Sequence, residues 1–293
     1  MKTKDFLILL ILSALWGGSF LFMRIAAPIL GPFLLIELRV GTAALALLVY
    51  AGLSRNMPWL SKQLGKHWKS FFVIGVINSA IPFVLIATST LYVPAGLAAT
   101  LNATTPLFTS LISAWWLKEA LTPQKILGLM LGFTGVAILV GLGPLPFSKE
   151  LLIACLCSIL AAVSYGFGAV LSKGYSSQTS PLALATYSQL FAAVALLPVT
   201  PFVLKSWTMP ALTCAVALGL VCTAVAYLLY FRLIQSIGAT KTTMVTYMAP
   251  AFAIVWGVVF LQEHLSLGSY VGFAVILASV VLVSGNPLRQ KTT

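Results

Sequence analysis

Apolar runs broken by short groups of proline, glycine and charge recur along the whole chain, at 5–27, 33–51, 69–89, 95–117, 125–142, 151–172, 181–203, 211–232, 239–261 and 267–286. A helix needs roughly 20 mostly apolar residues to cross the hydrocarbon of a bilayer. The pattern therefore predicts an all-α, polytopic membrane protein with ten transmembrane helices. The joins Pro28–Pro32, Tyr92–Pro94 and Lys118–Gln124 are too short for anything but antiparallel neighbours in an up-and-down bundle. The charged positions test the count, because a wrong number of spans would scramble the sidedness of lysine and arginine. With the N-terminus inside, every Lys and Arg falls on the cytoplasmic side except Arg24, Lys149 and Lys205 outside and Arg39 within a span. Both termini are expected in the cytoplasm, and the protein in the inner membrane.

Composition narrows the class further. Hydrophobic residues make up 60% of the chain and charged residues 8%, against roughly 45–50% and 25% in globular proteins, so no sizeable domain is left outside the bilayer. A net charge of +12 would suggest nucleic acid in a soluble protein. Here the cations mark topology instead, and no nucleic-acid partner is expected. The opening MKTKDFLILLILSALWGGSF has the basic and apolar regions of a secretory signal. Trp16 interrupts the place of a small-residue cleavage site, however, and the apolar character runs on to Ala26, which predicts an uncleaved first span. Cys155, Cys157, Cys214 and Cys222 sit in apolar runs without zinc or redox spacing and read as small buried hydrophobes. His67 and His264 fall on opposite sides of the membrane with no catalytic or metal constellation, so an enzyme is not expected.

Two segments echo each other at an offset of 144 residues. Pro106/Pro250, Phe108/Phe252, Leu117/Leu261, Glu119/Glu263, Leu121/Leu265 and Gly128/Gly272 coincide, and earlier in each half Trp16-Gly17 faces Tyr165-Gly166, Arg24 faces Lys173 and Pro32 faces Pro181 at an offset of 149. The matched residues are helix breakers and the one acidic residue of a span junction, which chance pairing of Leu and Val would not select. The chain thus divides into 1–143 and 144–293, with five spans each. Five is odd, so the second half runs inverted relative to the first, the architecture of secondary transporters that bind substrate near the midplane between repeats.

ALWGGSF (14–20), FLLIELRVGTAALALL (33–48) and the two Pro–Glu–Gly segments make the chain resemble the ten-helix drug/metabolite transporter superfamily of EamA-type permeases. The resemblance covers nearly the whole chain. It implies a small-molecule permease, of a family that exports or imports metabolites such as amino acids, with no cofactor and no covalent chemistry. With the inverted repeat, the chain is read as an exporter of amino acids or related small metabolites working by alternating access. The resemblance also implies that spans 1–4 and 6–9 line a central cavity. An uncoupled channel or facilitator, or a small-ligand membrane receptor, is the alternative. Small multidrug relatives bind cations at a lone acid in helix one, and Phe6–Ala26 contains none.

Ionisable groups inside spans are costly and are functional candidates by default. Glu37 and Arg39 qualify. Arg24 and Glu37 lie at similar depth across the first hairpin, where an ion pair between them is expected, and that structural role is preferred for Glu37 over proton uptake. Arg39, roughly 10 Å below the outer span end, either snorkels outward or faces the cavity, where its fork suits a carboxylate or phosphate. Glu119 and Glu263 are expected to accept N–H bonds at the start of the following helix, as caps. Pro82, Pro106 and Pro250 each free a carbonyl that a neighbour or substrate must satisfy. Pro106, Pro250 and the two glutamates are thus assigned to structure. The substrate-binding candidates are Trp16, Arg39, Asn78, Asn102, Tyr165, Gln189, Tyr227 and Tyr247; no metal ligands or catalytic residues are expected. The partners are a small-molecule substrate and the lipid bilayer, and the protein is expected to be monomeric.

Overall fold

A computed structural model describes residues 2–141, 148–175, 179–200 and 207–284. The elements are α1 (Thr3–Leu30), α2 (Pro32–Leu53), α3 (Met57–Gly75), a π-turn (Val76–Ala80), α4 (Ile81–Ser89), α5 (Ala95–Asn102), α6 (Thr105–Trp116), α7 (Pro123–Gly141) and α8 (Lys149–Tyr175), then α9 (Pro181–Leu196), α10 (Met209–Gly219), a second π-turn (Leu220–Val225), α11 (Ala226–Ile237), α12 (Ala239–Thr242), α13 (Met244–Leu261) and α14 (Leu267–Ser284). No strand occurs among the described residues. Seven helical stretches are long and apolar enough to cross a membrane, with Met57–Ser89 and Met209–Ile237 each continuous through a π-turn. Pro181–Leu196 and Leu267–Val283 are shorter apolar helices, and the span expected at 95–117 is split into α5 and α6. The boundary at 143/144 and the far ends of the spans expected at 181–203 and 267–286 lie outside the described residues.

Local chemistry explains the breaks. In the first π-turn the N–H of Ile81 reaches back to the carbonyl of Val76. The next donor in that register would be Pro82, which has none. The carbonyl of Ile77 is met instead by the Ser164 hydroxyl of α8 at 2.6 Å. Pro106 likewise stands at the start of α6 and cannot serve the carbonyl of Asn102. Thr105 does so through its hydroxyl at 2.7 Å. The second π-turn contains no proline. There the Thr223 hydroxyl enters the ladder and donates to Leu218 O at 2.8 Å, a recognised cause of local unwinding.

Helix packing follows one scheme. α7 lies along α14, α1 along α13 and α6 along α8; α4 packs on α8 where α11 packs on α1, and α3 on α9 where α10 packs on α2. Glycines permit the closest approaches. A Cβ on Gly17 would fall within 3 Å of Ala249 and Ala253 backbone atoms, and one on Gly75 or Gly219 would meet the carbonyl of Ser188 or of Arg39 at similarly short range. Small residues at such crossings let backbones approach in lipid, where dispersion and hydrogen bonds hold helices together. Gly18, by contrast, faces the side chain of Trp256, at 3.8 Å.

Two ends of the bundle depart from expectation. α3 begins at Met57 rather than near 69, with non-helical dihedrals at His67 (φ −126°, ψ 18°). Its first two turns are polar on one face, which hid them from a search for apolar runs. At the other end, Arg24 pairs with Glu263 (Nε–Oε1 3.9 Å) and donates to Thr90 O at 2.5 Å, so the ion pair expected with Glu37 is absent. α1 packs along α13 far more than along α2, which aims Arg24 at the turn that follows α13.

Candidate functional site

The centre of the bundle carries a polar seam built from both halves of the chain. Arg39, on α2, is 5% exposed. Its Nε donates to Thr223 Oγ1 of the second π-turn at 3.0 Å, and Nη1 approaches Met23 Sδ of α1 at 3.8 Å. The guanidinium carbon stands 3.7 Å from the Phe83 ring centroid on α4, a cation–π arrangement. Tyr165 of α8, Cys222 and Tyr227 surround it closely enough to interact electrostatically. Arg39 therefore does not snorkel, because its helix packs against α10 and the second π-turn and leaves no route to the interface. No carboxylate among the described residues comes within salt-bridge distance of it.

Opposite this contact lies its neutral counterpart. Gln189 of α9, fully buried, donates from Nε2 to Ser79 Oγ of the first π-turn at 2.8 Å, and its Oε1 has no partner. Tyr227 lies beside Ser79, joining the two contacts. From Tyr227 an aromatic series leads to Phe231 (6.0 Å between centroids), Tyr230 (5.9 Å) and Trp16 (5.5 Å). Tyr165 meets Phe83 edge-on at 6.3 Å.

The structure thus brings Arg39, Tyr165, Gln189 and Tyr227 together. Trp16 lies further along α1, in a separate apolar cluster with Ile8, Leu12 and Met248. Asn78 is pressed against Gly168 of α8. Asn102 sits at the α5–α6 break with Oδ1 buried and unpartnered, and Tyr247 packs against the main apolar cluster. Glu37, two residues from Arg39, keeps a buried Oε2 without a hydrogen-bond partner. None of Thr223, Cys222, Met23, Phe83 and Ser79 was among the substrate-binding candidates read from the sequence. The repeat held the signal for two of them, since Ser79 and Thr223 stand 144 residues apart.

The paired turns show the same correspondence. Lys118 and Gln262 both adopt left-handed dihedrals (φ 58° and 53°). After each, the glutamate N–H returns to a carbonyl of the preceding helix, Glu119 to Ser113 at 3.4 Å and Glu263 to Gly257 at 3.1 Å. Glu263 does not cap the helix that follows it. Its Oε1 accepts from Ala95 N at the start of α5 at 2.8 Å, while the hydroxyls of Thr122 and Ser266 accept from Lys125 N and Ser269 N at the starts of α7 and α14. Ser266 stands three residues nearer α14, so the Glu263 carboxylate serves Ala95 across the bundle instead.

A bundle of apolar helices around a buried polar seam, with tight turns repeated in each half, is the build of a membrane transporter. The EamA-like transporter family model matches residues 4–141 and again 152–285, and the chain belongs to that family. Among its relatives are an uncharacterized transporter, YvbV, of Bacillus subtilis (strain 168), 28% identical over 99% of this chain and 94% of the relative, and protein PecM of Dickeya dadantii (strain 3937), 25% identical over 97% and 92%. A solved crystal structure with 20% identity superposes with a TM-score of 0.66 over 96% of both chains, a likeness of fold. The protein is a membrane-embedded transporter of this family, which also supports the resemblance to the drug/metabolite superfamily.

Proposed function

We propose that the protein is a secondary exporter of amino acids or related small carboxylates, working as a monomer in the inner membrane with both termini in the cytoplasm. Ten spans form two inverted five-helix repeats, 1–143 and 144–293, which rock about the seam to expose it to either face in turn. The observation that carries the substrate class is Arg39: a buried guanidinium with no carboxylate beside it among the described residues. An uncompensated cation in low dielectric is costly, and an anionic substrate would supply the missing charge with the bidentate geometry that arginine favours. The unpartnered Oε2 of Glu37 makes that residue the candidate for proton coupling; without it, transport is facilitated and uncoupled.

Inversion is supported by the turns. Glu263 touches Ala95 at the start of α5, whereas Glu119 follows the end of α6, the continuation of that same span. The two equivalent glutamates are therefore separated by the length of a membrane crossing. Single cysteines at positions 120 and 264 in a cysteine-free background are expected to react with impermeant reagents from opposite faces; labelling from one face sinks the inverted arrangement. Proteoliposomes loaded with amino acids are expected to show saturable counterflow. Non-saturable flux would make the protein a channel, and binding without flux a receptor.

A further inference from the structure

We infer that the first turns of α3 form a binding site for the headgroup of an anionic phospholipid, with phosphatidylglycerol as the best fit. Trp59, Lys62, Gln63 and Lys66 recur at helical spacing and share one face, while Leu60 and Leu64 on the other pack with Ala51, Phe71, Ala183 and Tyr187. With His67 the polar face lines an open cleft of about 230 Å³. Between Glu37 and Glu119 the chain carries no acidic residue to compete for the two ammonium groups, while Arg55, Lys62, Lys66 and Lys69 crowd into this segment. The ion pair of Arg24 with Glu263 lies at the other end of α1. Inside the cleft, Gln63 Oε1 is buried without a partner, an acceptor that a headgroup hydroxyl would satisfy while the lysines hold the phosphate.

The surroundings favour a lipid over a soluble phosphate. Trp59 and Trp68 are exposed beside the lysines, and immediately past the His67 kink Phe72 and Val73 turn outward, where acyl chains would lie. Interfacial tryptophan, basic residues and an adjoining apolar surface together are the features that recruit anionic lipid. The occupied site would tie the start of the rod carrying Ser79 to the membrane surface.

Native mass spectrometry of the full chain, released from detergent with equimolar phosphatidylglycerol and phosphatidylcholine of identical acyl chains, tests this. Wild type is expected to retain phosphatidylglycerol preferentially. Lys62→Gln with Lys66→Gln is expected to lower that preference about 25-fold, at roughly five-fold per lysine, whereas Lys118→Gln with Lys125→Gln leaves it unchanged. Equal loss in both pairs, or none in the first, overturns the site. Displacement of the lipid by millimolar glycerol phosphate overturns the lipid assignment in favour of a free phosphate. Should the double variant fail to fold, Gln63→Leu carries the test: it retains every charge and is expected to erase discrimination between phosphatidylglycerol and phosphatidic acid, and unchanged discrimination counts against the site. None of these readouts depends on transport.

Discussion

The contacts Arg39–Thr223 and Gln189–Ser79 are two versions of one design. In each, a long polar side chain from the helix opening with Pro32 or Pro181 reaches a hydroxyl in the π-turn of the opposite half, at 3.0 and 2.8 Å. In each, the π-turn follows a glycine, Gly75 or Gly219, that lets the helices close on one another. They differ in charge. The neutral contact meets the needs of the fold, since a buried hydrogen bond contributes about 1 kcal/mol and costs more if half-broken. Placing a guanidinium in the same frame adds the desolvation cost of a buried charge, and under the proposed function this is the half of the seam that would recognise an anion.

Converting one version into the other is the most severe test. Arg39→Gln keeps a donor for Thr223 and removes the charge together with the guanidinium's contacts to Met23 and Phe83. Uptake of a carboxylate substrate into proteoliposomes is expected to fall roughly 100-fold, as for loss of hydrogen bonds to a charged group worth about 1.5–3 kcal/mol, with thermal unfolding in detergent little changed. Equal flux would show that the two contacts are equivalent and that Arg39 is structural. Next in size are Gly75→Ala and Gly219→Ala, where the new methyl meets backbone atoms. Each is expected to cost about 1–3 kcal/mol, read as a lowered unfolding temperature, and similar losses at both sites would show that the two crossings bear comparable packing.

Gln189→Leu sharpens the neutral side. It removes the donor to Ser79 and the unpartnered Oε1 together, so a loss of only about 1 kcal/mol is expected, with carboxylate flux reduced less than five-fold relative to wild type, well short of the Arg39→Gln effect on the order of 100-fold. A flux defect as large as that of Arg39→Gln would move Gln189 into the recognition site. The smallest effect belongs to Gly41→Ala. Nothing stands within 4 Å of a Cβ there, and alanine is the better helix former by about 0.5–1 kcal/mol, so a slight gain in unfolding temperature is expected. A loss would reveal a packing partner for α2 at that face.

The split of α5 from α6 shows how far the sequence could be read. Pro106 announced a break, and the polar residues before it announced a carbonyl in need of a donor. That the donor is Thr105, one residue upstream, and not a neighbouring helix is a matter of local rotamer choice. Glu263 shows the opposite limit. Its position after a span suggested a cap for the next helix, but the nearer Ser266 does that work, and the carboxylate crosses the bundle to Ala95. The first turns of α3 escaped notice because Lys62, Gln63 and Lys66 break the apolar run, although Leu60, Leu64 and Phe71 kept helical spacing.

Helical class, membrane location and the doubled turns were settled by the order of residues alone, because lipid leaves a backbone no alternative to internal hydrogen bonding and the breakers punctuate each crossing. Which side chains share a depth, which face of each rod turns inward, and that Arg39 meets Thr223 while Arg24 meets Glu263 emerged only from packing. Those contacts join residues as many as 239 positions apart, and rotation of an apolar helix about its own axis leaves too faint a trace in its hydrophobic pattern to fix them.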